Sequence, residues 1–185
     1  MDLEKEKELV LRARTDVQAF GMLYDEYYSK IFGYVLRRTA SADAAQDITS
    51  EVFLKALKNI KRFQWRDIPF PAWLYRIAGN EINNGFRRNK RIQLLKQELI
   101  NSTSDPNTLL VEEIAQAEAE IQKHDDFLAI HRNISRLPAK YQEVIVLRFF
   151  EKKQLKEIAA ILGKREGTVK SLLHRALEKL RKLME

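Results

Sequence analysis

Apolar residues recur every three or four positions along most of the chain, which is the spacing of one face of an α-helix. Asp16 and Ser41 are the predicted N-caps of two such helices. The apolar stripe of the first is Phe20, Leu23, Tyr24, Tyr27, Ile31, Tyr34 and Val35. The stripe of the second is Ile48, Val52, Phe53, Ala56, Leu57 and Ile60. No long alternation of period two is visible, so we predict an all-α protein.

A third helix is predicted from about Ala72 to Arg91, because Pro69 and Pro71 interrupt the chain before it. Its apolar residues are Leu74, Ile77, Ala78, Ile82 and Phe86. Together these segments predict a bundle of three or four helices in the N-terminal half.

The third helix has a second, polar face. Steps of three or four residues place Trp73, Arg76, Asn80, Asn84, Arg87 and Arg91 on one side, flanked by Asn83 and Arg88. Just upstream, residues 61–66 interleave cations with aromatic rings, including Arg62, Phe63 and Trp65. Amides can bond to base edges, guanidinium groups neutralise phosphates and aromatic rings stack on unpaired bases. This pattern predicts contact with single-stranded or distorted DNA. The alternative is that the aromatic residues fill the core and the arginines are merely solvated.

The C-terminal half has the spacing of a helix-turn-helix. A helix over roughly 139–150 precedes a small residue, Ala159, a turn residue that tolerates positive φ, Gly163, and an apolar lock, Val169. Ile158, Leu162, Leu172, Leu173, Ala176 and Leu180 complete its predicted core. The outward positions are Arg165, Glu166, Thr168, Lys170, Ser171, His174 and Arg175. We expect them to reach phosphates and base edges in the major groove. The alternative is a helical hairpin with a solvated basic face.

Charge divides the 185 residues into three parts. Residues 1–96 have a balance of +6 and residues 127–185 of +8, whereas residues 97–126 have −7, which gives +7 for the whole chain. The acidic part includes a turn-forming run over residues 101–107. We therefore predict two small helical domains, 1–96 and 127–185, joined by a flexible acidic linker. Basic domains favour polyanionic partners.

Composition excludes several other kinds of protein. The absence of cysteine rules out disulfides, a zinc ribbon and a thiolate nucleophile, and three scattered histidines argue against a metal centre, so we predict no metal and no cofactor. The opening residues lack the apolar core of a signal peptide, and the longest apolar run, residues 144–147, is far too short to cross a bilayer. We expect a cytoplasmic protein without membrane insertion.

Catalysis has little support in the sequence. Asp43, Asp47 and Glu51 share a helix face and could hold a divalent ion, but acids in the first turns of a helix also complement its dipole. No nucleophile–base pair or glycine-rich phosphate loop accompanies them. We predict that the chain is not an enzyme.

Three stretches, taken in order, resemble the extracytoplasmic-function (ECF) sigma factors of bacterial RNA polymerase. They are residues 47–56, residues 72–80 and residues 167–171, the last followed by His174, Arg175 and Ala176. The resemblance covers nearly the whole chain. It implies a sigma factor that binds core RNA polymerase and directs initiation at promoters by recognising −35 and −10 elements and assisting DNA melting.

The resemblance also implies roles for individual residues. Gln46, Asp47, Glu51 and Phe53 correspond to the segment that docks on the polymerase. The polar face of the third helix and the loop before it correspond to the element that recognises and opens the −10 sequence. Lys170, Ser171, His174 and Arg175 correspond to family positions that meet the −35 duplex. The linker would thread toward the active centre or act as a solvated tether, and an anti-sigma factor is a further implied partner.

Two features depart from the family pattern, and one alternative remains. Gln154 and Lys164 stand where a hydroxyl-bearing N-cap is usual, and Pro71, just before Trp73, is expected to reshape the base-capturing loop. A stand-alone helix-turn-helix regulator that binds duplex DNA without polymerase would explain the C-terminal half. It would leave Phe63, Trp65 and Trp73 unexplained.

Overall fold

The computed structural model describes residues 2–65, 68–99 and 132–184, with only the backbone over 89–99. All regular structure in these ranges is helical, which confirms the predicted all-α fold. The first region, residues 2–99, contains α1 (Leu3–Arg12), α2 (Val17–Thr39), α3 (Ala42–Asn59), a 3-10 turn (Ile60–Arg62) and α4 (Phe70–Leu99). The second region, residues 132–184, contains α5 (Ala139–Ile145), a π-helical turn (Val146–Phe150), α6 (Leu155–Leu162) and α7 (Glu166–Met184).

The predicted N-caps of the first region are confirmed. Asp16 accepts a hydrogen bond from the Gln18 amide at 2.9 Å, and Ser41 accepts one from the Ala44 amide at 3.1 Å. Most of the predicted apolar stripes are buried, whereas Tyr24, Leu57 and Phe86 are exposed. These three were wrongly assigned to the core because a period of three or four also includes the margins of a helix face.

Helix α1 is absent from the sequence predictions, although it completes the core of the first region. Its buried Glu6 accepts hydrogen bonds from the Tyr27 hydroxyl at 2.6 Å and from the Phe70 amide at 3.1 Å. Burial, followed by the bond to Glu6, raises the pKa of Tyr27 well above its ordinary value, so its hydroxyl remains a donor. One carboxylate therefore ties α1 to α2 and to the start of α4.

Helix α4 is longer than predicted at both ends. It begins at Phe70 and includes Pro71, because the first turn of a helix needs no amide donor from that position. It ends at Leu99, beyond the predicted limit of residue 91 and past the predicted domain boundary at residue 96. Apart from these last residues of α4, the predicted linker, 97–126, lies outside the described residues.

The second region confirms the helix-turn-helix. Ala159 and Val169 are buried, and Gly163 has a φ of 62°, the left-handed conformation that favours glycine. Gln154 stands at the N-cap of α6, and its backbone N–H donates to the Glu157 carboxylate at 2.7 Å. This bond satisfies one amide at the start of α6 where the hydroxyl-bearing cap is missing.

The two regions share one continuous apolar core. Val146, Leu147, Ile158 and Ile161 of the second region belong to the same buried cluster as the core of the first region. A smaller cluster in the second region joins α5 to α7 through Tyr141, Val144, Ile145, Leu172 and Ala176, among others. The apolar side chains of α5 are therefore largely internal.

Candidate nucleic-acid interface

Helix α7 presents the first candidate surface, which we call the α7 face. Its predicted contact residues are all exposed: Arg165, Glu166, Thr168, Lys170, Ser171, His174 and Arg175. Val169, Leu172 and Ala176 are buried on the other side of the helix. Burial of that side against α5 and α6 fixes which side chains face outward, so the surface is formed before any DNA binds.

Short-range bonds organise the α7 face. The Ser171 hydroxyl donates to the Gly167 carbonyl at 3.0 Å, and Arg175 Nε donates to the Ser171 carbonyl at 3.1 Å. His174 Nδ1 lies 3.6 Å from a Glu178 carboxylate oxygen. The bond at Nε uses one donor of the Arg175 guanidinium, and a guanidinium carries further donors on its two terminal nitrogens that suit a phosphate.

Helix α4 presents the second candidate surface, the α4 face, which is less uniformly exposed. Asn80, Asn84, Arg87 and Arg88 are exposed, as is Arg62 in the 3-10 turn. Trp65, Trp73, Arg76 and Asn83 are half-buried, and Phe63 is buried. The side chain of Arg91 and the whole of Arg66 lie outside the described residues.

An aromatic cluster joins the loop to α4. The ring centroids of Phe63 and Trp73 are 4.7 Å apart, those of Phe70 and Trp73 5.7 Å, and those of Phe63 and Trp65 6.1 Å. Phe63 is only 7% exposed, and its carbonyl accepts a bond from Arg14 Nη2 at 2.6 Å. Phe63 therefore lies in the core, which is the alternative that the sequence left open for the aromatic residues. Trp65 and Trp73 are packed against it and remain half-exposed.

Arg76 is hydrogen-bonded to the second region. Its Nε donates to the Ile161 carbonyl at 3.0 Å and its Nη2 to the Ala160 carbonyl at 2.5 Å, at the C-terminal end of α6. Nearby, a cavity of about 470 Å³ between α4 and α5 is lined by Asn83, Arg87 and Lys140, among others. Asn83 Oδ1 is buried and has no donor among the described residues.

All four predicted polymerase-docking residues lie on α3, and three of them are accessible to a partner. Gln46 and Asp47 are exposed and Glu51 is half-buried, but Phe53 is only 3% exposed. The Phe53 ring packs against Tyr24 and Tyr28, at centroid distances of 4.7 and 6.2 Å. Phe53 was predicted as a contact residue, yet its ring is buried, so it supports the surface that these tyrosines form.

A groove of about 380 Å³ connects α3 to the α4 face. Asp47, Glu51, Glu81, Asn84 and Arg88 contribute to its walls. Lys55 Nζ binds the Glu81 carboxylate at 2.6 Å and the Glu51 carboxylate at 3.3 Å, and the bond to Glu81 raises the pKa of Lys55. Within the described ranges, no cluster of carboxylates and imidazoles has the arrangement of a metal site. The groove places docking candidates beside DNA-contact candidates.

Sequence reasoning missed the polar contacts between the two regions, which we call the seam. Glu151 Oε1 accepts from Arg37 Nη2 at 2.6 Å, and Glu151 Oε2 accepts from the Tyr75 hydroxyl at 2.7 Å. Arg38 Nη1 lies 4.0 Å from Glu143 Oε1. Arg37 and Arg38 lie in the last turn of α2, where cations ordinarily complement the helix dipole, so their type and position did not indicate a distant partner. The available signal for partners of these arginines was the pair Glu143 and Glu151, two acids in a strongly basic region.

Burial perturbs the titratable groups of the seam. It raises the pKa of Tyr34 and of Tyr75, so both hydroxyls keep their protons. Burial also raises the pKa of Glu143, and the neighbouring Arg38 opposes that increase. These residues are therefore held in an environment from which water is largely excluded.

Known proteins share both regions of the sequence. Residues 23–92 match Sigma-70 region 2, and residues 127–180 match Sigma-70, region 4. The ECF RNA polymerase sigma factor BldN of Streptomyces coelicolor is 31% identical over 188 residues, covering 99% of this chain and 67% of BldN. The ECF RNA polymerase sigma factor SigW of Bacillus subtilis is 32% identical over 183 residues, covering 98% of this chain and 97% of SigW.

A solved structure supports the fold. The sigma factor RpoE, in complex with the anti-sigma factor NepR from Bartonella quintana, superposes with a TM-score of 0.66 at 21% identity, covering 89% of this chain and 96% of that chain. No helix in the described ranges has the length and apolarity needed to span a membrane. Sigma factors are generally non-enzymatic subunits that recognise DNA. With both sigma regions in order and relatives matched almost end to end, the chain belongs to the ECF sigma factors, which bind core RNA polymerase and direct it to specific promoters.

Proposed function

We propose that this chain reads its promoters with two separate surfaces, the α7 face for the −35 duplex and the α4 face for the −10 element. The observation that carries the proposal is the α7 face, where every predicted contact side chain is exposed while the opposite side is buried. An exposed helix of this kind fits the major groove, and its cations neutralise flanking phosphates. Lys170, Ser171, His174 and Arg175 are the proposed −35 contacts.

The α4 face is suited to bases that have left the duplex. Asn80 and Asn84 offer amide donors and acceptors, and Arg87 and Arg88 offer charge to the backbone. Trp73 presents a partly open ring, supported from below by the buried aromatic cluster. Extruding a base costs a few kcal/mol, which stacking and hydrogen bonds at such a surface return. We assign recognition and opening of the −10 element to this face, together with Arg62 and Trp65.

Docking on core polymerase is assigned to α3. Asp47 and Glu51 lie across the groove from Asn84 and Arg88, and Gln46 precedes Asp47 on the same helix. A polymerase element bound there would lie beside the DNA-contact residues of α4. This placement would couple docking to promoter opening.

Further properties follow from this role. The chain would act without catalysis of its own, because the polymerase performs the chemistry. It would work in the cytoplasm, where core polymerase and promoter DNA are found. RpoE is bound to an anti-sigma factor in the solved complex, and we propose a partner of that class for this chain. The domains are proposed as residues 1–96 and 127–185, with 97–126 as the linker.

Transcription reconstituted from purified components tests the proposal. Core RNA polymerase with this chain should give discrete run-off transcripts from a small subset of a promoter library, and core polymerase alone should not. A chain with Asp47→Lys should lose most of these transcripts, whereas Lys5→Glu, an exposed change on α1, should retain them. Absence of discrete transcripts with the wild-type chain would contradict the proposal.

Footprinting separates this proposal from the stand-alone regulator. A sigma factor should protect the −35 and −10 elements only when core polymerase is present. Equal protection of duplex DNA by the chain alone would favour the regulator.

A further inference from the structure

We propose that the α1 segment, residues 3–14, positions the base-capturing loop that lies between the 3-10 turn and α4. The described residues of this loop are 63–65 and 68–69. Arg14 holds the start of the loop and Glu6 holds its end. The proposal rests on the −10 role proposed above for the loop tryptophan and the α4 face.

The start of the loop is held by Arg14, two residues after the end of α1. Arg14 Nη2 donates to the Phe63 carbonyl at 2.6 Å, across 49 residues of sequence. Phe63 is buried, and Arg14 Nε is buried without an acceptor among the described residues. The bond is therefore largely shielded from water, and its charged donor makes it stronger than a bond between two neutral groups.

The end of the loop is held by Glu6 of the same segment. Its buried carboxylate accepts a bond at 3.1 Å from the backbone N–H of Phe70, the first residue of α4. That N–H belongs to the first turn of a helix, where amides lack partners within the helix. The Arg14 backbone N–H donates to the Leu11 carbonyl at 3.3 Å, so Arg14 continues the last turn of α1. One short helical segment therefore holds both ends of the loop.

Lys7 adds a contact within the loop, at Trp65. Its Nζ lies 5.9 Å from the centre of the Trp65 ring, within the range of a cation–π interaction. The same Nζ pairs with Glu4 at 2.8 Å. The Phe63 ring meets the Trp65 ring edge-on, at a centroid distance of 6.1 Å. Trp65 is therefore held by both Phe63 and the α1 segment before any base binds.

This arrangement lowers the cost of capturing a base. A free loop loses conformational entropy when it closes on a ligand, and a loop already held at both ends loses less. The benefit arises only when an unpaired base is bound, so the α1 segment should affect promoter opening and not the −35 duplex. Arg14 and Glu6 are accordingly positioning residues that act through the loop. The match to Sigma-70 region 2 begins at residue 23, so the α1 segment precedes it.

Arg14→Ala tests the proposal in the full-length chain with core polymerase. It should slow the appearance of permanganate-reactive −10 thymines by about tenfold, the effect of one bond from a charged donor. Binding of the same holoenzyme to a −35 duplex should not change. Binding to a promoter whose −10 region is already unpaired should weaken, because capture of the bases is impaired.

Two further variants separate the bond from the charge. Arg14→Lys keeps a charged donor and should recover part of the loss. Arg12→Ala removes an exposed cation from the last turn of α1 and is the matched control. It should open promoters as the wild-type chain does.

Tryptophan fluorescence reports the loop directly. Trp65 and Trp73 are the two tryptophans of the chain, so Trp73→Phe leaves Trp65 as the only one. In this background, Arg14→Ala should raise acrylamide quenching of the unbound chain toward that of free tryptophan, and Arg12→Ala should not. Ile145→Val truncates a buried residue of the second region, so it should lower stability without changing the quenching.

Lys7→Ala provides an independent test if Arg14→Ala folds poorly. Loss of the cation beside Trp65 should slow opening by about two- to fivefold and raise the quenching of Trp65. Lys5→Ala, at an exposed position of α1, is its matched control and should change neither quantity.

The outcomes distinguish this proposal from the function on which it rests. Normal opening and normal Trp65 quenching with Arg14→Ala would overturn the role of the α1 segment. An equal loss of opening with Ile145→Val would also overturn it, because the effect would then follow from stability alone. Failure of wild-type run-off transcription, or normal opening with Trp65→Ala, would instead refute the proposed function.

Discussion

The two surfaces proposed to contact DNA differ in how many of their side chains are free to bind it. The α7 face is exposed at every predicted contact residue and is fixed by burial of its opposite side. The α4 face is mixed, because its asparagines are exposed while Arg76 is bound to α6 and Trp73 packs on Phe63 and Phe70. The surface proposed to read the −35 duplex is fully exposed in the unbound chain, whereas the surface proposed to bind opened DNA is partly engaged by other residues of the chain.

This difference fits the order of events at a promoter. A −35 duplex needs no opening, so a preformed helix face can meet it. Unpaired −10 bases exist only after melting, and a surface that favours them too early would bind stray single strands. The supporting cores also differ, with mainly aliphatic packing beneath α7 and an aromatic cluster beneath α4.

Truncating Phe70, at the centre of the aromatic cluster, should give the largest loss of stability. Phe70 is completely buried and contacts Tyr27, Phe63 and Trp73. Phe70→Ala should cost about 3–5 kcal/mol of unfolding free energy, measured by urea denaturation. Phe149, which is 52% exposed, is the control, and Phe149→Ala should change stability by no more than about 0.5 kcal/mol. Similar losses for both would show that the cluster does not support α4.

The buried carboxylate of α1 gives the next largest effect. Glu6→Ala leaves the Tyr27 hydroxyl and the Phe70 amide without their acceptor, at a cost of about 1–3 kcal/mol. The exposed Glu8 on the same helix is the matched control. If Glu8→Ala destabilises the chain equally in thermal melts, the assigned role of Glu6 is wrong.

Substitutions on the α7 face should change the affinity for DNA rather than the stability of the chain. Lys170→Ala should weaken binding to a −35 duplex by about 1 kcal/mol and reduce the slope of log affinity against log salt by about one, if the lost contact is to phosphate. Lys179 lies nine residues further along α7, on the opposite side, and Lys179→Ala should leave both quantities unchanged. An effect of equal size at Lys179 would mean that the charge of α7, and not its face, determines binding.

The smallest expected effect concerns the start of α6. Glu157→Ala removes the acceptor for the Gln154 amide and should cost about 0.5–1 kcal/mol in thermal or urea unfolding. Lys156→Ala, an exposed neighbouring change, should be close to neutral. Equal stability of the two variants would show that this bond adds nothing to the missing hydroxyl cap.

Local patterns made much of this structure predictable. The caps at Asp16 and Ser41 and the spacing of Ala159, Gly163 and Val169 depend on neighbours within one or two turns, which the sequence displays directly. The exposed positions of α7 follow from the same periodicity. These features were predicted correctly because their physical causes are local.

Long-range contacts were not predictable in the same way. Glu6 meets Phe70 across 64 residues, and Arg37 meets Glu151 across 114. No periodicity links such partners, and a charged residue ordinarily indicates a solvated surface. The burial of Phe53 and Phe63 and the engagement of Arg76 likewise depend on how elements pack. The sequence therefore suggested candidate contact residues but not which of them are covered by other parts of the chain.

Permanganate reactivity of promoter thymines, at saturating holoenzyme, tests the division of labour between the two faces most directly. Asn80→Ala should leave promoter binding nearly intact while strongly reducing −10 reactivity, and Lys170→Ala should weaken binding but give normal reactivity once saturated. Asn59→Ala, an exposed change on α3, should behave as wild type. Normal opening with Asn80→Ala, or lost opening at saturation with Lys170→Ala, would contradict the account.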